Sequence, residues 1–98
     1  MARLTVSTIL DSIGRMKVQM RRLGVRRLGL FGSYAKGKPT ANSDLDFLVV
    51  FNNPTFDSYM DLKELLQKEF GKKVDLVTQD SLKPALQHLK GEATYAKI

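Results

Sequence analysis

The run Gly32-Ser33-Tyr34-Ala35-Lys36-Gly37, followed by Ser43-Asp44-Leu45-Asp46-Phe47-Leu48-Val49, decides how this chain is read. Ten residues lie between Ser33 and Asp44. From Asp44 to Phe51 the pattern is that of a strand, and in a strand residues i and i+2 share a face. Asp44 and Asp46 therefore project together, while Leu45, Phe47 and Val49 fill the opposite face. Two like charges at the head of an otherwise apolar strand are costly unless a cation compensates them. A bare Asp-x-Asp has a plainer reading, a solvated strand start.

A third carboxylate alters that balance. Asp75 sits in Lys73-Val74-Asp75-Leu76-Val77-Thr78, a predicted strand, and aspartate is depleted in strands. Pairing with Lys72 or Lys73 would explain it locally. Facing Asp44 and Asp46 from a neighbouring strand would explain all three together. Three aspartates so placed form a two-metal site of hard oxygen ligands, suited to Mg²⁺. Gly32-Ser33 follows directly after a predicted strand, Val25 to Phe31. A glycine there lets backbone approach a ligand closely. If Ser33 to Lys36 forms a short helix, its first N–H groups and the Ser33 hydroxyl converge on one point suited to a phosphate, with Lys36 and Lys38 adding charge.

Working outward, Ile9, Ile13, Met16, Met20 and Leu23 step by 4, 3, 4 and 3, which predicts one amphipathic helix over 7–23, capped by Thr5 or Ser7 and ended by Gly24. Gly14 weakens it by about 1 kcal/mol. Asp57 to Phe70 is a second helix, with Leu62, Leu65 and Leu66 inward and Gly71 at its end. A last helix is predicted from Asp80 or Ser81 to Gly91, with Leu82, Ala85, Leu86 and Leu89 on one stripe. The tail has the pattern of a short strand or a loose end, and Tyr95 and Ile98 are candidate interface residues. The order predicts an α/β (α+β) domain, residues 1–98, in which a small mixed sheet has helices packed on one face.

Composition narrows the function classes. The chain has 98 residues, 43% hydrophobic and 27% charged, which is ordinary globular usage and room for one core. No apolar run approaches the roughly 20 residues of a membrane span. With no cysteine and only His88, disulfides, thiolate metal sites and most histidine-based catalysis are excluded. A cytoplasmic location is the expectation for such a chain. Residues 1–38 carry nine Lys/Arg against one acid, and residues 39–98 carry seven against nine. The basic stretch Arg15 to Arg27 is a docking surface for an anionic partner or a solvated helix face.

The Gly-Ser turn, the ten-residue spacer, Asp44-x-Asp46 and a third acid on a later strand together resemble the signature of the nucleotidyltransferase superfamily with the DNA polymerase β-like fold. The local form, Gly-Ser-Tyr-Ala-Lys-Gly before Ser-Asp-Leu-Asp, is most similar to the minimal nucleotidyltransferases, the antitoxin partners in HEPN–MNT toxin–antitoxin modules. Lys36 departs from the arginine common there, which keeps charge but loses a bidentate fork. The resemblance implies that Gly32, Ser33, Lys36 and Ser43 contact a nucleoside triphosphate such as ATP. It further implies that Asp44, Asp46 and Asp75 bind two Mg²⁺ and carry catalysis, with Asp75 helping to deprotonate an acceptor hydroxyl. The implied partner is a small helical HEPN toxin ribonuclease that receives AMP on a tyrosine, in a homo- or hetero-oligomer. Two other readings stand beside it: a catalytically silent, toxin-binding antitoxin, and a basic nucleic-acid-binding module. The clustered acids speak against the last, since without metal they would repel phosphates.

Overall fold

The computed structural model describes residues 4–40, 42–79, 93–96 and 98. The chain enters through α1 (Val6–Arg15) and α2 (Lys17–Arg22), then β1 (Val25–Phe31) and the short α3 (Gly32–Ala35). It continues through β2 (Leu45–Phe51), α4 (Phe56–Phe70), β3 (Val74–Thr78) and β4 (Thr94–Tyr95). The predicted helix from Asp80 or Ser81 to Gly91, and His88 with it, lie outside the described residues.

The single N-terminal helix expected over 7–23 is two. The chain breaks at Met16 (φ −100°, ψ 14°), whose N–H bonds back to the Ile13 and Gly14 carbonyls. The break falls two residues after Gly14, the poorest helix former of the segment. The apolar stripe survives it, and Ile9, Ile13, Met16 and Met20 are all buried. Thr5, rather than Ser7, caps α1: it forms a capping box with Thr8. The same Thr-x-x-Ser/Thr spacing recurs at Thr55-Ser58, which caps α4, and at Thr40-Ser43 in the loop before β2. At the far end of α4, Gly71 takes the left-handed conformation (φ 62°) that releases the chain toward β3.

Among the described residues the sheet is four-stranded, in the order β3-β2-β1-β4. β1 runs antiparallel to β2 and β4, while β2 and β3 are parallel. The parallel pair is possible because α4 returns the chain across one face. On that face Leu28, Leu30, Leu45, Phe47, Val49, Leu76 and Val74 meet Ile9, Ile13, Met20, Tyr34, Leu62 and Leu66 in one core. Helices α1 to α4 thus all contribute to one side of the sheet, as expected. The opposite face presents Gly29 and Phe31 from β1, Asp46 and Leu48 from β2, and Asp75 and Val77 from β3, by register. Leu48 is fully buried there, away from the main core. Tyr95 and Ile98 are not exposed interface residues as expected from the sequence. Tyr95 pairs with Gly29 and lies under the Arg27 guanidinium, 4.1 Å from its ring centroid, and Ile98 packs on the core.

β3 is an edge strand, and α4 closes part of its open side. Leu45 N–H donates to the Lys73 carbonyl, so the alternate residues Val74 and Leu76 turn their backbone groups outward. The Val74 N–H donates to Gln67 Oε1 (3.2 Å), and the Tyr59 hydroxyl donates to the Leu76 carbonyl (2.6 Å). Side chains from the helix thereby satisfy groups that a free edge would offer to another strand. Among the described residues, no helix is long and apolar enough to cross a membrane.

Candidate active site

The site is built where β1 ends and β2 and β3 begin. β1 delivers Phe31, whose register partner is Asp46, and the chain then turns at Gly32 (φ 76°) into α3. Two independent constraints require glycine here. The backbone lies in the left-handed region, and a Cβ would collide with the Asp46 carboxylate, whose Oδ2 occupies that space. α3 has no side-chain cap at its start, and the Ser33 hydroxyl forms no hydrogen bond among the described residues. The start of α3 lies at the head of the sheet, next to Asp46.

Asp46 and Asp75 are direct register partners on the parallel strands β2 and β3. Adjacent strands stand about 4.8 Å apart, so the two carboxylates share one face as near neighbours. Asp44 precedes the first residue of β2 and stands at the mouth of the site rather than within the strand. The Asp46 carboxyl is held above its usual value of 3.8, first by burial, then by the negative charges of Asp75 and Asp44. Among the described residues, no ion pair neutralises any of the three. The local explanation for Asp75, pairing with Lys72 or Lys73, is therefore not what the structure has. Lys72 instead holds its ammonium 5.8 Å from the centre of the Tyr34 ring, linking the start of β3 to α3.

Placement of the other sequence-derived candidates differs case by case. Lys36 is exposed at the end of α3, where its N–H closes on the Gly32 carbonyl. The Ser43 hydroxyl is engaged within its own loop: it accepts from the Thr40 N–H (2.8 Å) and lies 3.2 Å from the Thr40 hydroxyl. Ser43 thus tethers the loop that delivers Asp44. Sequence reasoning did not single out Thr40, although the recurring Thr-x-x-Ser/Thr spacing marks it.

The donor set fits a hard divalent cation. Half-buried Asp44 and Asp46 and exposed Asp75, without ion-pair partners among the described residues, gain from such a cation. Among the described residues, no three acidic or histidine side chains form a closed cage. Of the three expected ligands, Asp46 and Asp75 are register neighbours, while Asp44 lies just ahead of β2. Such a partial set suits Mg²⁺, which commonly takes one or two carboxylates and completes its shell with phosphate oxygens and water.

Comparison with known proteins bears on the family and the fold. Residues 13–98 match the nucleotidyltransferase domain family. The protein adenylyltransferase MntA of Thermococcus cleftensis is 40% identical over 88 residues, covering 88% of this chain and 89% of that protein. A solved chain described as a minimal nucleotidyltransferase superposes with a TM-score of 0.77 at 29% identity, each chain being covered in full. A chain from a crystal structure of a toxin–antitoxin with AMP-PNP superposes with a TM-score of 0.65 at 26% identity, over 83% of this chain and 67% of that one. From the matched length, the shared fold and the carboxylate pair held against a glycine turn, the chain belongs to the nucleotidyltransferase domain family and is an enzyme of its minimal, MntA-like branch.

Proposed function

We propose that this nucleotidyltransferase transfers AMP from ATP to a hydroxyl of a partner protein, and that it acts in this way as antitoxin to a HEPN-type ribonuclease toxin. The observation that carries the reading is the Asp46–Asp75 pair, without an ion-pair partner among the described residues and with Asp46 pressed against Gly32 at the head of the sheet. Support for the donor and the partner comes from relatives named as a protein adenylyltransferase and as a toxin–antitoxin with AMP-PNP.

In this reading the Gly32 and Ser33 backbone and the Ser33 hydroxyl hold the triphosphate, with Lys36 supplying positive charge from the rim. Ser43 keeps the loop to Asp44 in place. Asp44, Asp46 and Asp75 would hold Mg²⁺, which when bound would supply positive charge against the phosphates and the developing alkoxide. The acceptor oxygen attacks the α-phosphorus in line, a new O–P bond forms, and the bond to the bridging oxygen breaks. Pyrophosphate leaves with that electron pair, and Asp75, the most exposed of the three, receives the acceptor proton. Most of the rate enhancement is positional and electrostatic, so no histidine is needed.

The mass of a co-purified HEPN-type protein after incubation with ATP and Mg²⁺ tests this reading. An increase by whole AMP units is expected with the wild-type enzyme and none with Asp46→Asn. An unchanged mass with the wild-type enzyme would contradict it.

A further inference from the structure

α3 carries the Gly32–Ser33 turn, yet it is only four residues long and has no side-chain cap at its start. A single turn of helix has little stability of its own, so its position is set by what it touches. Gly32 lies against the Asp46 carboxylate on β2, and Tyr34 is buried in the main core. α3 continues β1, and β2 lies between β1 and β3. The sheet ladder therefore holds Asp46 to Asp75 without itself tying α3 to β3.

Lys72 spans that gap. Its ammonium stands 5.8 Å from the centroid of the Tyr34 ring, within the roughly 6 Å at which a ring face attracts a cation. The stem is rooted beside the site. The Lys73 carbonyl accepts from the Leu45 N–H, next in the chain after Asp44, and Asp75 follows on β3. Lys72 is half-buried and, among the described residues, has no carboxylate partner, although Asp44 and Asp75 stand at the same end of the sheet. Lys73 beside it is exposed. Gly32 meets Asp46, Asp46 pairs with Asp75, the chain runs back from Asp75 to Lys72, and Lys72 meets Tyr34 on the helix that Gly32 begins. These links close a ring through the turn and both acids.

We propose that Lys72 is a positioning residue for nucleotidyl transfer: its ammonium, seated on the Tyr34 ring, fixes the Gly32–Ser33 turn relative to Asp75. The inference rests on the nucleotidyl-transfer reading and adds what aligns the turn that holds the triphosphate with the strand that carries the third acid. In this role Lys72 acts through Tyr34 rather than on the nucleotide or the acceptor. Loss of its charge frees α3 to shift against β3, and small misplacements of reacting groups reduce rate steeply.

The test reads two quantities on the full chain. Amide hydrogen exchange in α3, where the Lys36 N–H bonds to the Gly32 carbonyl and the Gly37 N–H to the Tyr34 carbonyl, is measured without nucleotide. The kcat and the ATP KM of AMP transfer are measured with ATP, Mg²⁺ and a HEPN-type partner. Lys72→Met keeps the stem and removes the charge. It is expected to quicken exchange at Lys36 and Gly37 about threefold or more and to lower kcat about fivefold or more, with the ATP KM held within about twofold. Lys72→Arg should restore both quantities, since a guanidinium also seats on a ring face. Lys73→Met, the same charge change one residue away, should alter neither. In a Tyr34→Leu background, Lys72→Met should add no further loss. Unchanged exchange and kcat in Lys72→Met would overturn the proposal, as would an equal loss in Lys73→Met, which would make the effect one of net charge. A further loss on top of Tyr34→Leu would overturn it too, by placing the action of Lys72 somewhere other than the ring. If Tyr34→Leu does not fold, the arginine rescue and the Lys73 control decide between the same outcomes. A wild-type chain that labels no acceptor sinks the transfer reading and the rate prediction with it, and the exchange data then decide whether the Lys72–Tyr34 clamp on α3 holds by itself.

Discussion

The Asp46 carboxylate occupies the space in which a side chain on Gly32 would begin. The Gly32 turn and the central acid of the site are thus in direct contact, and each sets the position of the other. Gly32→Ala is therefore expected to cost about 1–3 kcal/mol of stability, from the left-handed backbone (φ 76°) and the displaced carboxylate together. It should reduce transfer activity on the order of 100-fold, since small displacements of reacting groups are costly. Urea unfolding and an activity assay on the same preparation check both figures.

Asp46 should destabilise the metal-free protein at neutral pH. Its carboxyl is raised above 3.8 in the folded chain, so the folded state binds the proton more tightly than the unfolded state does. Stability from this group is fully present below the unfolded value and is lost as pH rises through the folded one. Asp46→Asn removes that loss. In a chelator at pH 7 the variant should melt at a higher temperature than wild type, and the gap should close below about pH 3.8. Equal melting temperatures at pH 7 would contradict the electrostatic account.

Divalent cation should reverse the order. Mg²⁺ with ATP is expected to raise the wild-type melting temperature by the mass-action amount, about 2.7 kcal/mol of added stability at a hundredfold excess over Kd. Chelation should remove the gain, and Asp46→Asn should show little of it. Thermal scans with and without EDTA supply the measurement.

The Tyr59 hydroxyl bond to the Leu76 carbonyl tests how the β3 edge is closed. Tyr59→Phe keeps the ring and removes the donor, and should cost about 0.5–1.5 kcal/mol in urea unfolding. The freed carbonyl should also increase self-association at high concentration, visible by light scattering.

Much of this architecture was legible in the sequence because its signals are local. The alternation through Leu45, Phe47 and Val49 placed Asp46 on the face away from the core, and the spacing of Ile9, Ile13, Met16 and Met20 kept its face through the break at Met16. What the sequence did not carry was pairwise geometry. Nothing local says that Asp75 lies opposite Asp46 rather than one residue along, because register depends on how α4 returns the chain. The close approach of Gly32 to Asp46, the engagement of Ser43 by Thr40 and the placement of Lys72 over Tyr34 arise in the same way, from segments far apart or from loop conformation. Tyr95 was misread because an aromatic residue near a terminus reads as exposed, whereas here the absent side chain of Gly29 makes room for its ring.

The central claim is that the α-phosphate of a nucleoside triphosphate moves to a protein hydroxyl at the Asp46–Asp75 pair. Parallel incubations of enzyme and HEPN-type partner with ATP labelled at the α- or the γ-phosphate, in Mg²⁺, measure it most directly. The account predicts label on the partner from α-labelled ATP only, and none from either with Asp46→Asn. Label carried from the γ-position, or α-label that persists in Asp46→Asn, would contradict it.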